Sequence, residues 1–269
     1  MDISQRTTAY LHRIGAALPA RPDTAALRDL QIHHLRSVPF ENLSVHFGED
    51  IVLEDGALVA KIVERRRGGF CYELNGAFAS LLRDLGFRVA LLQARVLDAD
   101  GRPGIPYDHL GLLVETTEQD GDTQRLFADV GFGDHSQYPL DADRRDEQID
   151  PAGTFRVVER ADGDLDIVRD GVPQYRLEQR PRVLADFEAG AWYHRTSPRS
   201  HFTGSLVCSR LTEDGRVTLS GGKLVTTVHG DRRERELPDD AAVLAAYRDL
   251  FGLRLDRVPV LRPRTGNSS

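Results

Sequence analysis

The chain has 269 residues, of which 40% are hydrophobic and 29% charged, with a formal net charge of -7; that is the composition of an ordinary globular protein able to bury two or three packed lobes. The acidic balance excludes general nucleic-acid binding through a basic surface, and no apolar run approaches the roughly 20 residues of a membrane span. The opening Met1-Asp2-Ile3-Ser4-Gln5-Arg6 lacks the layout of a secretory signal, and two cysteines, Cys71 and Cys208, make no disulfide framework, so a reducing, cytoplasmic setting is expected.

The first third reads as helical. Tyr10, Leu11 and Ile14 share one face, and Thr24 is placed to cap a helix carrying Leu27, Leu30 and Leu35 that ends at the Pro39 break. Leu58, Val59, Ile62 and Val63 keep helical spacing before the basic run Arg65-Arg66-Arg67. The clearest helix follows Gly68-Gly69: Leu74, Ala77, Phe78, Leu81, Leu82 and Leu85 recur at helical intervals, and Gly86 supplies a stop.

From about residue 88 the period becomes that of strands, with candidates at 88–97, 110–115, 125–130, 155–159, 165–169 and 175–178. Short strands with Gly and Asp-Gly turns suggest an antiparallel barrel or sandwich. Residues 133–153, polar and acidic, read as an irregular surface loop. A connecting helix is expected near 185–193, then strands at 204–209, 216–219 and 223–228, with a turn around Asp214-Gly215. A last amphipathic helix after Pro238 carries Val243, Leu244, Tyr247, Leu250 and Phe251 and closes at Gly252; the polar tail 262–269 is expected to fray. The predicted class is α+β in three parts: a helical bundle over 1–86, a β-barrel over 87–184, and a connecting helix with an α/β lid over 185–269.

Cys71 falls on the first turn of the strongest helix, directly after Arg67-Gly68-Gly69-Phe70. Unpaired amides and the positive helix end favour a thiolate there, and the amides of Cys71 or Tyr72 are placed to stabilise an oxyanion. A lone cysteine is as readily a small buried hydrophobe, and on residues alone both readings stand. Cys208, inside an apolar strand pattern, reads as core.

Of nine histidines most have bland explanations. His33 and His34 share a helix, one packed and one wet; His12, His46, His194 and His229 have no clear partner, and His135 falls in the acidic loop. No zinc-ligand spacing occurs, so no metal is expected. His109 opens a strand whose hairpin partner ends at Asp129; a turn centred on residue 119 brings the two together at the open end. Asp129 would then fix the tautomer of His109, which takes the Cys71 proton. The alternative is a turn-capping aspartate and a half-buried strand histidine.

Together these segments resemble the arylamine N-acetyltransferases. The likeness is carried by Arg67-Gly68-Gly69-Phe70-Cys71-Tyr72-Glu73-Leu74-Asn75, Pro39-Phe40-Glu41-Asn42-Leu43, His109-Leu110-Gly111-Leu112, Asp129-Val130-Gly131-Phe132-Gly133 and Tyr10-Leu11-x-Arg13-Ile14-Gly15. It runs from the start to about residue 135 and more loosely through 197–202. It implies a bundle, barrel and lid around a cysteine-protease-like Cys71, His109 and Asp129 core. It also implies acetyl-coenzyme A as donor, an aryl amine or hydrazine as acceptor, and a two-step exchange through Cys71. Carried over by position, Phe132, with Phe40 and Phe202, lines the acceptor pocket, and Gly131 and Gly133 lie against the coenzyme. Arg67, Glu41 and Asn42 read as a buried polar support of the Cys71 turn. Arg199, His201 and Lys223 are positions that could meet coenzyme phosphates, although a solvated surface role suits each one. An amide synthase of the same fold, a cysteine protease or transglutaminase, and a non-catalytic binding module are the rival readings.

Overall fold

A computed structural model describes residues 3–261, with side chains from Gln5; the tail expected to fray lies outside the described residues. The first segment contains α1 (Ile3–Ile14), α2 (Thr24–Ser37), a two-residue strand β1 (Phe40–Glu41), α3 (Leu43–Phe47), α4 (Asp55–Val63) and α5 (Cys71–Asp84). α2 is capped by Asp23, whose carboxylate accepts from Ala26 N–H at 2.9 Å. Thr24, the expected cap, instead turns its hydroxyl to Thr116 at 3.0 Å. α5 is buried from Cys71 through Leu82, as a helix apolar nearly all round must be. It packs on α4 and on the barrel, and so forms the axle of the molecule.

The barrel comprises β2 (Arg88–Val96), β3 (His109–Thr117), β4 (Thr123–Ala128), β5 (Leu140–Asp141), β6 (Gln148–Asp150), β7 (Gly153–Glu159), β8 (Leu165–Arg169) and β9 (Val172–Arg182). The antiparallel order is β5-β4-β3-β2-β9-β8-β7-β6. The seam between β5 and β6 is bridged by one side chain. Asp141 N–H donates to Gln148 Oε1 at 2.7 Å, and Gln148 Nε2 returns a bond to Asp141 O at 3.0 Å. Residues 133–153, expected as a surface loop, therefore hold two barrel strands. His135, Ser136, Leu140, Ala142 and Asp150 are all buried there. The Asp150 carboxylate organises the segment by accepting from Gln137, Tyr138 and Ala152 N–H; a polar sequence here serves internal backbone bonding rather than solvent.

A short 3-10 turn (Leu184–Phe187) leads into α6 (Glu188–Thr196) and α7 (His201–Gly204), then β10 (Val207–Leu211), β11 (Gly215–Ser220), β12 (Lys223–Val228), β13 (Asp231–Glu236) and α8 (Asp240–Phe251). Gly204 thus ends a helix, and the strand expected from residue 204 begins only at Val207. β13 was invisible to hydropathy because Asp231-Arg232-Arg233-Glu234-Arg235-Glu236 is exposed and charged throughout, as suits a sheet edge. The second sheet has the order β1-β10-β11-β12-β13, so Phe40 and Glu41 from the first segment complete a sheet whose other strands begin only at Val207. Its two faces alternate. Cys208, Val217, Leu219 and Leu224 pack against Val243, Tyr247 and Phe251 of α8, while Ser209, Arg216, Thr218, Lys223, Val225 and Thr227 turn to a cavity, following the two-residue period of a strand.

Candidate active site

Cys71 is the first residue of α5 and is 3% exposed. Glu73 and Leu74 N–H both donate to Phe70 O, which leaves the Cys71 and Tyr72 amides without an intrahelical acceptor. Glu73 Oε2 accepts from Phe70 N–H at 3.3 Å, the N3 half of a capping box, and Lys61 holds the other oxygen of that carboxylate. The turn before Cys71 needs Gly68: a Cβ there would lie 1.9 Å from Pro39 O. Arg67 and Glu41 form the expected buried pair at 2.9 Å, and Glu41 also accepts from Leu43 N–H. Asn42 supports something else. Its amide donates to Phe202 O and Ser205 O at 3.0 and 2.6 Å and accepts from Val207 N–H at 2.9 Å, tying the first segment to the lid.

His109 opens β3, and Asp129 follows β4. The β3–β4 register pairs Leu112 with Ala128 and Thr117 with Thr123, so the hairpin centres on residue 120, one later than expected. Pairing stops at Ala128, so Asp129 lies just beyond the ladder, and its side chain meets the histidine: His109 Nε2 lies 2.7 Å from Asp129 Oδ2. Nδ1 is left free of Asp129, and Cys71 lines the same cavity as the ring and favours its charged form. Burial opposes charge on this ring, but the Asp129 charge and hydrogen bond, with Cys71, outweigh it and raise His109 to about 10. Burial likewise would raise Asp129, but the His109 charge and bond, with His135 and Asn75, hold it at about 2. An imidazolium–carboxylate pair at neutral pH is the result.

Asn75, present in the motif but given no role by sequence reasoning, is the clamp. Its Nδ2 donates to Asp129 Oδ1 at 2.9 Å and to Leu110 O at 2.6 Å, while its Oδ1 accepts from Val130 N–H at 2.8 Å. One helical turn after Cys71, it shares that residue's face of α5, which was the available signal. Gly131 N–H adds a bond to Asp129 Oδ1 at 2.8 Å. A Cβ on Gly131 would sit 2.7 Å from Cys71 Cα, so only glycine lets the 129–131 turn rest on the nucleophile's backbone. The Tyr175 ring packs on His109 at 5.3 Å, and burial and the nearby Asp129 push its hydroxyl well above the usual range; nothing in its strand pattern marked it.

A cavity of about 940 Å³ opens onto Cys71 and His109. Phe40, Phe132 and Phe202 line it, as do Gly131 and Gly133; Asp129 lies behind His109, out of contact with the cavity. The far wall is the polar face of the second sheet, including Arg216, Lys223 and Arg232. His201 also reaches the cavity, but Arg199 does not. Cys208 faces the α8 core, fully buried, with its thiol pushed well up by burial, so it behaves as the packing residue expected. Among the described residues no group of three or more His, Cys, Asp or Glu could hold a metal ion, and no helix is long and apolar enough to cross a membrane.

A thiol at a helix mouth, an imidazole beside it and a carboxylate behind the imidazole define a cysteine-nucleophile, group-transferring class of site. Comparison with known proteins narrows the class. Residues 23–260 match a family model described as N-acetyltransferase. The arylamine N-acetyltransferase of Mycolicibacterium smegmatis is 35% identical over 253 residues, covering 91% of each chain. That of Escherichia coli K12 is 32% identical over 253 residues, 92% of this chain and 88% of its own. Among solved structures, the M. smegmatis arylamine N-acetyl transferase superposes with a TM-score of 0.85 at 34% identity, over 98% of this chain and all of the other. The Mycobacterium marinum arylamine N-acetyltransferase in complex with CoA gives 0.82 at 32% identity, over 92% of both. The chain belongs to the arylamine N-acetyltransferase family.

Proposed function

We propose that this chain moves an acetyl group from acetyl-coenzyme A to an aryl amine or aryl hydrazine through a thioester on Cys71, with His109 as proton carrier and Asp129 as its orienting charge. The observation that carries the reading is the convergence of Cys71, His109 and three phenylalanines on one cavity, with Asp129 bonded behind the imidazole. In the first half-reaction His109 holds the proton of Cys71. The sulfur bonds the acetyl carbon, the carbon–sulfur bond to the coenzyme breaks, and the departing thiolate takes the proton from His109. In the second, the amine nitrogen bonds the same carbon and gives a proton to His109, and the bond to Cys71 breaks, restoring the starting state. The unpaired Cys71 and Tyr72 amides are positioned to receive the oxyanion of each step. Phe40, Phe132 and Phe202 supply flat apolar walls suited to an aryl ring. Arg216, Lys223 and Arg232 give the far wall the cations a coenzyme's phosphates need, with Gly131 and Gly133 against its acyl end. The reading divides the chain into a nucleophile-bearing bundle (1–86), a barrel bearing base and carboxylate (87–184) and a lid (185–269). A free thiol of this kind suits the reducing cytoplasm.

Intact-mass measurement after incubation with acetyl-coenzyme A is expected to show one acetyl adduct, lost on adding an aryl amine and absent from Cys71→Ala. Free coenzyme thiol released no faster with amine than without would sink the acetyl-transfer reading in favour of a carrier-bound acyl donor. Turnover of a peptide or glutamine substrate would instead revive a protease or transglutaminase.

A further inference from the structure

The catalytic cavity holds a second histidine–carboxylate pair that the acetyl-transfer chemistry does not use. Asp108 directly precedes His109, and His194 lies on α6; both line the cavity with Cys71. His194 Nε2 and Asp108 Oδ1 are 3.0 Å apart, yet that nitrogen is buried and closes no aligned hydrogen bond. His194 Nδ1 is fixed by Ser200 Oγ at 3.1 Å, and its ring packs edge-on to Phe70 and Phe202. Asp108 Oδ2 accepts from Val96 N–H at 3.3 Å.

The backbone around the pair is held as deliberately as that of the triad. Tyr107 has φ of 58°, a left-handed conformation rare for an aromatic residue. The hydroxyl of Tyr72, next to the nucleophile, donates to Tyr107 O and Asp108 O and fixes that conformation. α6 reaches the knot through Gly190, where a Cβ would lie 2.7 Å from Tyr107 O and 2.8 Å from the Tyr72 oxygen.

Charge accounting sets Asp108 apart. Three carboxylates line the cavity: Asp108, Asp134 and Glu234. Asp134 is shared by Arg169 and Arg216, each at 3.5 Å, and Glu234 is held by Lys223 at 3.1 Å and Arg232 at 2.6 Å. Among the described residues no Lys or Arg pairs with Asp108. A carboxylate accepts about four hydrogen bonds, and Asp108 receives one aligned bond from the protein, so acceptor capacity remains at the Cys71 end of the cavity. The cations gather at the other end, on the second sheet.

We propose that Asp108, paired at 3.0 Å with His194, determines acceptor specificity by receiving a cationic or hydrogen-bond-donating ring substituent of the aryl amine and by repelling an anionic one. The inference rests on the acetyl-transfer reading of the same cavity. A carboxylate next to His109 meets the acceptor rather than the coenzyme phosphates, which its charge would repel.

The test compares planar substituents of one shape and opposite charge: 3- and 4-aminobenzamidine against 3- and 4-aminobenzoate, with saturating acetyl-coenzyme A and release of coenzyme thiol as readout. For at least one ring position, Asp108→Asn is expected to lower the amidine-to-carboxylate ratio of kcat/KM by about tenfold. Because the ratio is internal to each variant, a general loss of active enzyme cancels. His194→Gln should raise KM for the amidine with little change in kcat and leave KM for the carboxylate unmoved, a split that mere loosening of the fold would not produce. Should Asp108→Asn fail to fold, the wild type decides alone: its ratio must fall as salt is raised from low to physiological strength. An Asp108→Asn ratio equal to wild type, or a salt-independent wild-type ratio, overturns the inference. An enzyme that acetylates Cys71 yet shows neither effect refutes this inference alone, whereas a chain that forms no acetyl-Cys71 refutes the reading beneath it.

Discussion

At the scale of single residues, the chemistry depends on which of two opposed effects wins at His109. Burial penalises the imidazolium, and Asp129 outweighs it. Asp129→Asn removes the charge but keeps the shape, so burial should then dominate and the ring should be neutral at pH 7. Cys71 then faces an uncharged ring, and His109 loses its enforced tautomer. Turnover is expected to fall on the order of 10⁴-fold, the scale known for the equivalent change in a serine triad, and Cys71 alkylation by iodoacetamide at pH 7 should slow in parallel. Wild-type rates in this variant would refute the role given to Asp129. Cys208→Ala should leave kcat/KM within about twofold, because that thiol is buried in the α8 core and inert; a large loss would mean the wrong sulfur has been assigned.

At the scale of elements, the site is a contact between the first turn of α5 and the turn that follows β4. The first was legible in the sequence, since glycines followed by an unbroken apolar period announce a helix start at Cys71. The second was legible only in part. Hairpin symmetry brought Asp129 near His109, but pairing stops one residue short of it, at Ala128, and what then aims its carboxylate is Asn75 on another element. Side-chain clamps between elements leave no periodic trace, and neither does an edge strand as charged as β13. The clamp is testable through Gly131→Ala. The added methyl meets Cys71 Cα and the Asn75 amide below 3.0 Å, and helix backbone cannot yield, so the 129–131 turn must move. A displacement near 1 Å in a reacting constellation costs about 10²-fold, and that loss is expected in kcat with the fold retained by circular dichroism. Asn75→Ala should act in the same direction and cost stability too, since it strands the buried Val130 N–H, at about 1–3 kcal/mol, and removes one bond each from Asp129 and Leu110.

At the scale of the whole molecule, the three segments are tied by polar bonds that cross between them, Asn42 to the lid and Asn75 to the barrel among them, so stability should respond to pH as one unit. Two buried rings set its acid limb. His34, bonded to the Tyr10 hydroxyl at 3.0 Å, is held down at about 3 by burial, and His135, among Phe132, Phe155 and Tyr175, at about 4, again chiefly by burial. A ring whose folded pKa lies below its unfolded value near 6.5 takes up protons on unfolding, so each weakens the fold as pH falls from 6.5 toward 4, by up to about 1.4 kcal/mol per pH unit. The catalytic pair acts elsewhere. The stabilisation from a raised His109 is complete below pH 6.5 and drains away progressively as pH climbs from there through about 10, and that from a depressed Asp129 is lost only as pH falls below 4 toward about 2. Stability should therefore peak near pH 6.5, falling on the acid side with His34 and His135 and on the alkaline side with His109. The melting temperature should drop by on the order of 5–10 °C per pH unit on the acid side. His34→Gln keeps a hydrogen-bonding group for Tyr10, and His135→Phe suits the surrounding rings; neither titrates. Each variant should roughly halve the acid slope between pH 6.5 and 5 in calorimetry, whatever its melting temperature at pH 7.5, and the pair together should nearly flatten it. A slope unchanged in both single variants would mean that other groups bind the protons released to the unfolded chain.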